Sequence, residues 1–128
     1  MRRLALIAIL AALACTVAGC GGQTTYTVAK SKSCLTERGA KTDDTLDFVA
    51  QTANGGAFNT ELSDNSVEVV FGQTVSDAKQ LQFAYQRFAF KNVQAGLSDV
   101  LRRYNNAVTL WHAHPSESDL ALVVGCLR

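Results

Sequence analysis

Phe58-Asn59-Thr60-Glu61-Leu62-Ser63-Asp64-Asn65-Ser66-Val67-Glu68-Val69-Val70-Phe71 is the stretch whose pattern decides the fold. Phe58, Thr60 and Leu62 alternate with polar neighbours, Ser63-Asp64-Asn65 supplies turn chemistry, and Val67, Val69 and Phe71 resume the two-residue period. Side chains two apart on a strand share a face, so the pattern predicts a β-hairpin with one buried face. Downstream the period changes. Ala78, Leu81, Tyr85 and Phe88 fall at helical spacings behind Thr74 and Asp77, which match a capping pair, and together they predict a helix long enough to cover a sheet face.

Working outward, residues 107–111 predict a further strand ended by Pro115. Ser116 then caps a last helix in which Leu120, Val123, Val124 and Leu127 form an apolar stripe with Cys126 beside it. Upstream, Ser33 caps a short helix that stops at Gly39. Residues 40–42 read as a short extended piece and residues 47–52 as a helical turn broken by Asn54-Gly55-Gly56. The sum is an α+β domain, a small two-layer sandwich in which helices cover one face of a mainly antiparallel sheet, with a ferredoxin-like variant as the expected arrangement.

The N-terminus has a different character. Met1-Arg2-Arg3 precedes an apolar run from Leu4 to Ala14, shorter than the about 20 residues a membrane-crossing helix needs. After it come Val17-Ala18-Gly19-Cys20. In these residues the chain resembles bacterial lipoprotein precursors, whose lipobox has Leu or Val, then Ala or Ser, then Gly or Ala, then the cysteine that carries the lipid. The resemblance implies a signal peptide over residues 1–19, lipidation of Cys20 as the first mature residue, and export to the outer side of a membrane, facing the periplasm or the cell exterior. Two acyl chains suffice for stable anchoring where one gives reversible binding. The polar, small residues that follow predict a lipid anchor and flexible tether over residues 20–32, leaving residues 33–128 as a single domain.

That processing also sorts the four cysteines. Cys15 leaves with the signal peptide and Cys20 takes the lipid, so Cys34 and Cys126 remain as a pair. In an oxidising exported compartment the pair reads as a disulfide. A redox-active or metal-binding pair is the alternative, although such cysteines usually stand two apart or near histidines. The mature region further resembles small single-disulfide lipoproteins of actinobacteria in Cys34-Leu35 and Cys126-Leu127, a likeness that implies no activity.

Loss of Arg2 and Arg3 lowers twelve basic side chains to ten against eleven acidic ones, a mature formal charge near −1. The lysines and arginines are scattered rather than striped, which argues against a nucleic-acid partner.

His112 and His114 in Trp-His-Ala-His-Pro are the most chemical-looking pair, since side chains two apart on extended backbone reach the same side. Two imidazoles do not close a zinc site, and Glu117 or Asp119 would complete one only through folding. Asp43, Asp44 and Asp47 lack the glycine and terminal glutamate of a calcium loop and read as a solvated loop or helix start. Asn54-Gly55-Gly56-Ala57 lacks the lysine of a phosphate loop and reads as a tight turn. Tyr85 and Phe88 fit the core stripe of the long helix, whereas Phe83 and Phe90 lie off it and form either a partner patch or packing beneath the loop around Phe48. Arg102-Arg103 is expected to face solvent.

No serine-nucleophile motif, Cys-His arrangement or carboxylate pair stands out, so an enzyme is not expected and no cofactor is implied. The leading expectation is a membrane-tethered binding or interaction module of the cell envelope. The alternatives are a metal-binding envelope protein using His112 and His114, and a small hydrolase.

Overall fold

A computed structural model describes residues 25–89 and 91–128, so the expected signal peptide over residues 1–19, Cys20 and Phe90 lie outside the described residues. In chain order the elements are α1 (Val28–Glu37), β1 (Lys41–Asp43), α2 (Phe48–Gln51), β2 (Ala57–Glu61), β3 (Ser66–Phe71), α3 (Val75–Phe88), α4 (Lys91–Val100), β4 (Leu101–Tyr104), β5 (Ala107–Trp111) and α5 (Glu117–Gly125). The strands form one sheet in the order β1-β2-β3-β5-β4. Every neighbouring pair is antiparallel. The domain is thus an α+β sandwich built on an antiparallel sheet.

The hairpin forms where the alternation puts it. Phe58 stands opposite Val69 and Thr60 opposite Val67, while the Leu62 amide donates to the Asn65 carbonyl at 2.8 Å to close the turn. The chain enters β2 through Gly55 and Gly56. A Cβ on Gly55 would meet the Phe71 carbonyl oxygen at 2.5 Å, and Gly56 takes a φ of 82°, which L side chains rarely adopt. These two glycines make the tight turn rather than an anion cradle.

The expectation of one covered face is corrected. Leu35 of α1 and Val123 of α5 pack with Phe58, Val67, Val69, Phe71 and Trp111 on one side of the sheet. Val49 of α2, Leu81 and Tyr85 of α3 and Leu97 of α4 pack with Val70, Leu101 and Val108 on the other. The sheet is therefore the middle of three layers. The adjacent apolar residues Val69 and Val70 are the sequence trace of this, because a strand covered on both faces drops the strict alternation. Nor is the arrangement ferredoxin-like throughout. The chain leaves β3 through α3 and α4 to β4, with β5 inserted between, which is one split β-α-β unit. A second such unit is missing, since α2 joins β1 to its immediate neighbour β2.

The domain also begins earlier than Ser33. Thr27 caps α1 by accepting from the Lys30 amide, and Ser31 is buried, so residues 26–32 belong to the folded body and not to the tether. They are held by the other chain end: the Thr27 amide donates to the Arg128 carbonyl at 2.7 Å, and the Arg128 amide donates to Ser31 Oγ at 3.1 Å. The Cys34–Cys126 disulfide joins α1 to the end of α5 across 92 residues, with Cα atoms 5.4 Å apart. Buried Asn106 completes the closure. It accepts from the Tyr26 amide at 2.7 Å and donates to the carbonyls of Tyr26 at 2.9 Å and Gly72 at 2.8 Å.

Thr74 and Asp77 form the anticipated capping box of α3, and Ser116 caps α5. Arg102 and Arg103 are not a solvent loop but two half-buried positions of β4, with Arg103 Nε donating to Gln82 Oε1 at 3.2 Å. β4 turns into β5 at Asn105, whose φ of 52° lies in the left-handed region that asparagine tolerates.

Candidate functional site

Phe48, Phe83, Phe88 and Val93 are the exposed large hydrophobic side chains among the described residues, at 72%, 57%, 63% and 44% exposure. Three of them, Phe48, Phe88 and Val93, line a single cleft of about 580 Å³ on the α2–α3–α4 side of the sheet. Its size falls in the range of small-molecule sites. Phe48 and Phe88 meet edge to face with ring centroids 6.4 Å apart, a favoured aromatic geometry.

The cleft follows from where the helices stop. α3 packs on the sheet through Ala78, Leu81 and Tyr85. Phe88 is its last residue, and Ala89 turns extended at φ −63° and ψ 136°. Phe88 therefore overhangs the core, and its expected place in the core stripe is corrected. α4 then returns with Val93, Leu97 and Val100 at spacings of four and three. Leu97 is buried and Val100 half-buried against the core, while Val93, one turn earlier, is left at the opening. Phe83 is exposed away from this opening, and Phe88 is the residue that meets Phe48.

The floor is the sheet. Asn59, Glu68 and Leu110 occupy one cross-strand row, and Ser66 and His112 lie beyond it on the same side. The His112 amide donates to the Ser66 carbonyl at 2.9 Å, which carries the ladder one residue past β5.

Glu68 is the unusual member of that row. It is only 9% exposed. Its Oε1 accepts from the Tyr85 hydroxyl at 2.7 Å and its Oε2 from the Asp47 amide at 2.9 Å. Tyr85 Oη also lies 3.2 Å from Asp47 Oδ1, which accepts from the Ala50 amide at 2.8 Å as the cap of α2. One buried carboxylate on β3 thus ties α2 and α3 over the sheet. Burial raises the Glu68 carboxyl above its ordinary value, and burial together with the neighbouring Glu68 pushes the Tyr85 phenol well up. A phenol in that state stays a neutral donor to the carboxylate across the physiological range.

The paired histidines have different surroundings. His112 is exposed along the cleft. His114 instead places Nδ1 2.7 Å from Asp99 Oδ1, which links the loop after β5 to α4. Among the described residues no group of three His, Cys, Asp or Glu side chains is arranged to hold a metal ion.

The three aspartates also separate. Asp43 accepts from the Thr45 amide at 2.7 Å and from Asn59 Nδ2 at 3.1 Å. Asp44 pairs with Lys32 at 3.0 Å, and Asp47 caps α2. The Thr45 amide holds the Asp43 carboxyl below its usual range.

No family model, curated protein or solved structure matches this chain. The chemistry of the cleft therefore has to be read from its own residues. Its walls are apolar and aromatic, its floor is polar, and a shielded carboxylate sits at the boundary between them. That combination can hold a molecule with an apolar body and a hydrogen-bonding end. Glu68 and the cleft were missed in the sequence because a strict alternation puts Glu68 on a solvated face. The signal that could have found them was Val69-Val70 next to Glu68, since a strand buried on both faces makes any acid between them a buried one.

Proposed function

We propose that the chain is a lipid-anchored binding module of the bacterial cell envelope, held at the membrane by Cys20 and taking a small ligand in the cleft between α2, the end of α3, α4 and the sheet. The observation that carries this reading is the gathering of Phe48, Phe88 and Val93 around one opening above a polar floor. Exposed apolar side chains scattered singly are ordinary, whereas apolar side chains concentrated at a concave site mark recognition. The Val17-Ala18-Gly19-Cys20 motif supports the anchor.

The position of the cleft supports it too. Tyr26 is tied to Asn106, which also donates to the Gly72 carbonyl, at one end of the central strands, and the cleft is reached at the other, beside Ser66 and His112. A tether joining at Tyr26 would leave the opening at the end of the sheet away from the attachment point. Binding rather than turnover is the favoured role, because Tyr85 and Asp47 already engage Glu68 in holding α2 and α3 together.

Two measurements test the reading. Mass spectrometry of membrane fractions should find the diacylglyceryl adduct on Cys20 in wild type and a loss of membrane retention in Cys20→Ala; an unmodified wild-type Cys20 refutes the anchor. Calorimetric titration of the full chain, held in phosphatidylcholine vesicles, with the neutral probe 4-phenylbutanol should give a saturable change in heat beyond that of the vesicles alone. Val93→Asp, at an exposed position, should abolish that change, and an unaltered Val93→Asp titration would remove the cleft as the site.

A further inference from the structure

The charges around the cleft narrow what its ligand is. Asp47 and Glu68 line it, and among the described residues no lysine or arginine does. A carboxylate has about four acceptor positions. Glu68 uses two, one for Tyr85 and one for the Asp47 amide, which leaves acceptor capacity at the boundary between floor and walls. Above it stand the faces and edges of Phe48 and Phe88, both exposed. Aromatic rings attract cations through their quadrupole, most strongly where water is partly excluded. An anionic ligand would meet two carboxylates and no lysine or arginine, and a neutral one would gain no charge-assisted bond from Glu68.

We infer that the cleft selects a small organic ammonium ion with an apolar body, its N–H groups donating to Glu68 and its body lying between Phe48, Phe88 and Val93. The proposal rests on the cleft being the binding site and adds the charge of what enters it. Ammonium donors suit this place because the site offers acceptors and π faces, while its lining gives a carboxylate or phosphate no lysine or arginine to pair with.

The test compares three probes of one shape, 4-phenylbutylammonium, 4-phenylbutanol and 4-phenylbutyrate, each titrated by calorimetry against the full chain in phosphatidylcholine vesicles, with protein-free vesicles as the baseline. The ammonium should bind about tenfold or more tighter than the alcohol, as a charge-assisted hydrogen bond predicts, and the carboxylate weakest of the three. Glu68→Gln should bring the ammonium down to the affinity that the alcohol shows for the same variant, removing the preference. Should that variant fold poorly, Asp47→Asn keeps an equally good helix cap while removing a charge, and should narrow the preference in the same direction. Alcohol binding with no advantage for the ammonium, or with the carboxylate equal to it, overturns the inference and leaves the cleft as a site. A preference that survives Glu68→Gln overturns the role given to that residue. If none of the three probes binds, both the inference and the cleft reading fall.

Discussion

On one side of the sheet α1 and α5 press Leu35, Val123 and Leu127 onto Phe58, Val69 and Trp111, and the Cys34–Cys126 disulfide binds the two helices to each other. On the other side α2, α3 and α4 cover Val70 and Val108 but stop short of the row at Ser66 and His112, and a polar tie of Glu68, Tyr85 and Asp47 stands where apolar packing ends. The first face is closed by covalent and apolar means. The second keeps a buried charge and an opening, and leaving part of a strongly held sheet uncovered is what creates a site in so small a domain. A scaffold with one stapled face can carry a less complete second face without losing its fold.

Breaking the staple has the largest expected consequence. Closing a loop of 92 residues restricts the unfolded chain by about 4 to 5 kcal/mol in the chain-entropy picture. Cys34→Ala with Cys126→Ala should lower unfolding stability by about that much in urea denaturation, against the roughly 5 to 15 kcal/mol of a typical domain. A loss below about 1 kcal/mol would mean that the hydrogen bonds of Thr27 and Ser31 with Arg128 hold the termini by themselves.

On the open face the expected effect is smaller and depends on pH. Tyr85→Phe removes a donor to a shielded carboxylate and should cost about 2 kcal/mol. The sign of the pH effect follows from the raised Glu68 carboxyl. Between the unfolded value and the higher folded value the native state binds more protons than the unfolded one, so Glu68 makes stability fall as pH rises through that window. The slope cannot exceed about 1.4 kcal/mol per pH unit for one group. Asp43 and Asp77 act oppositely. The Thr45 amide and the Thr74 hydroxyl hold them low, and what they contribute is lost as pH falls. Denaturation of wild type and Glu68→Gln across the acid to neutral range should differ by a component that falls with pH in wild type only; parallel profiles would show that Glu68 titrates as it does in the unfolded chain.

The smallest effect sharpens the comparison from the closed face. Thr60 is fully buried there, and its Oγ1 has no hydrogen-bond partner. Thr60→Val keeps the branched shape that suits a strand and removes the orphaned hydroxyl. It should raise stability by about 1 kcal/mol; a destabilised variant would show that a partner for Thr60 exists in solution.

The two faces were not equally legible in the sequence. Phe58 to Phe71, Thr74 with Asp77, residues 107–111, the Ser116 cap and the Cys34–Cys126 pair each rest on local signals, period, capping chemistry or cysteine count, and each appears in the structure. The elements that shape the cleft rest on weaker ones. β4 is only Leu101-Arg102-Arg103-Tyr104, two arginines in a strand of four, and it forms because β5 offers it an edge. α4 carries a glycine at position 96 and few apolar residues, and no capping residue announced its start. The core stripe of α3 was extended one step too far, to Phe88, because periodicity tells which side of a helix faces inward but not where the sheet beneath it ends. A hairpin with one buried face also gave no reason to single out Glu68. Its burial depends on α2 and α3 arriving from elsewhere in the chain, which no local pattern records.

Hydrogen exchange on the full chain in vesicles, with and without saturating 4-phenylbutylammonium, tests the division of labour between the faces most directly. The expected result is slower exchange confined to α2, the last turn of α3 and the first turns of α4, with α1 and α5 unchanged. Protection that appears in α1 and α5 instead, or nowhere in the chain, would contradict the account.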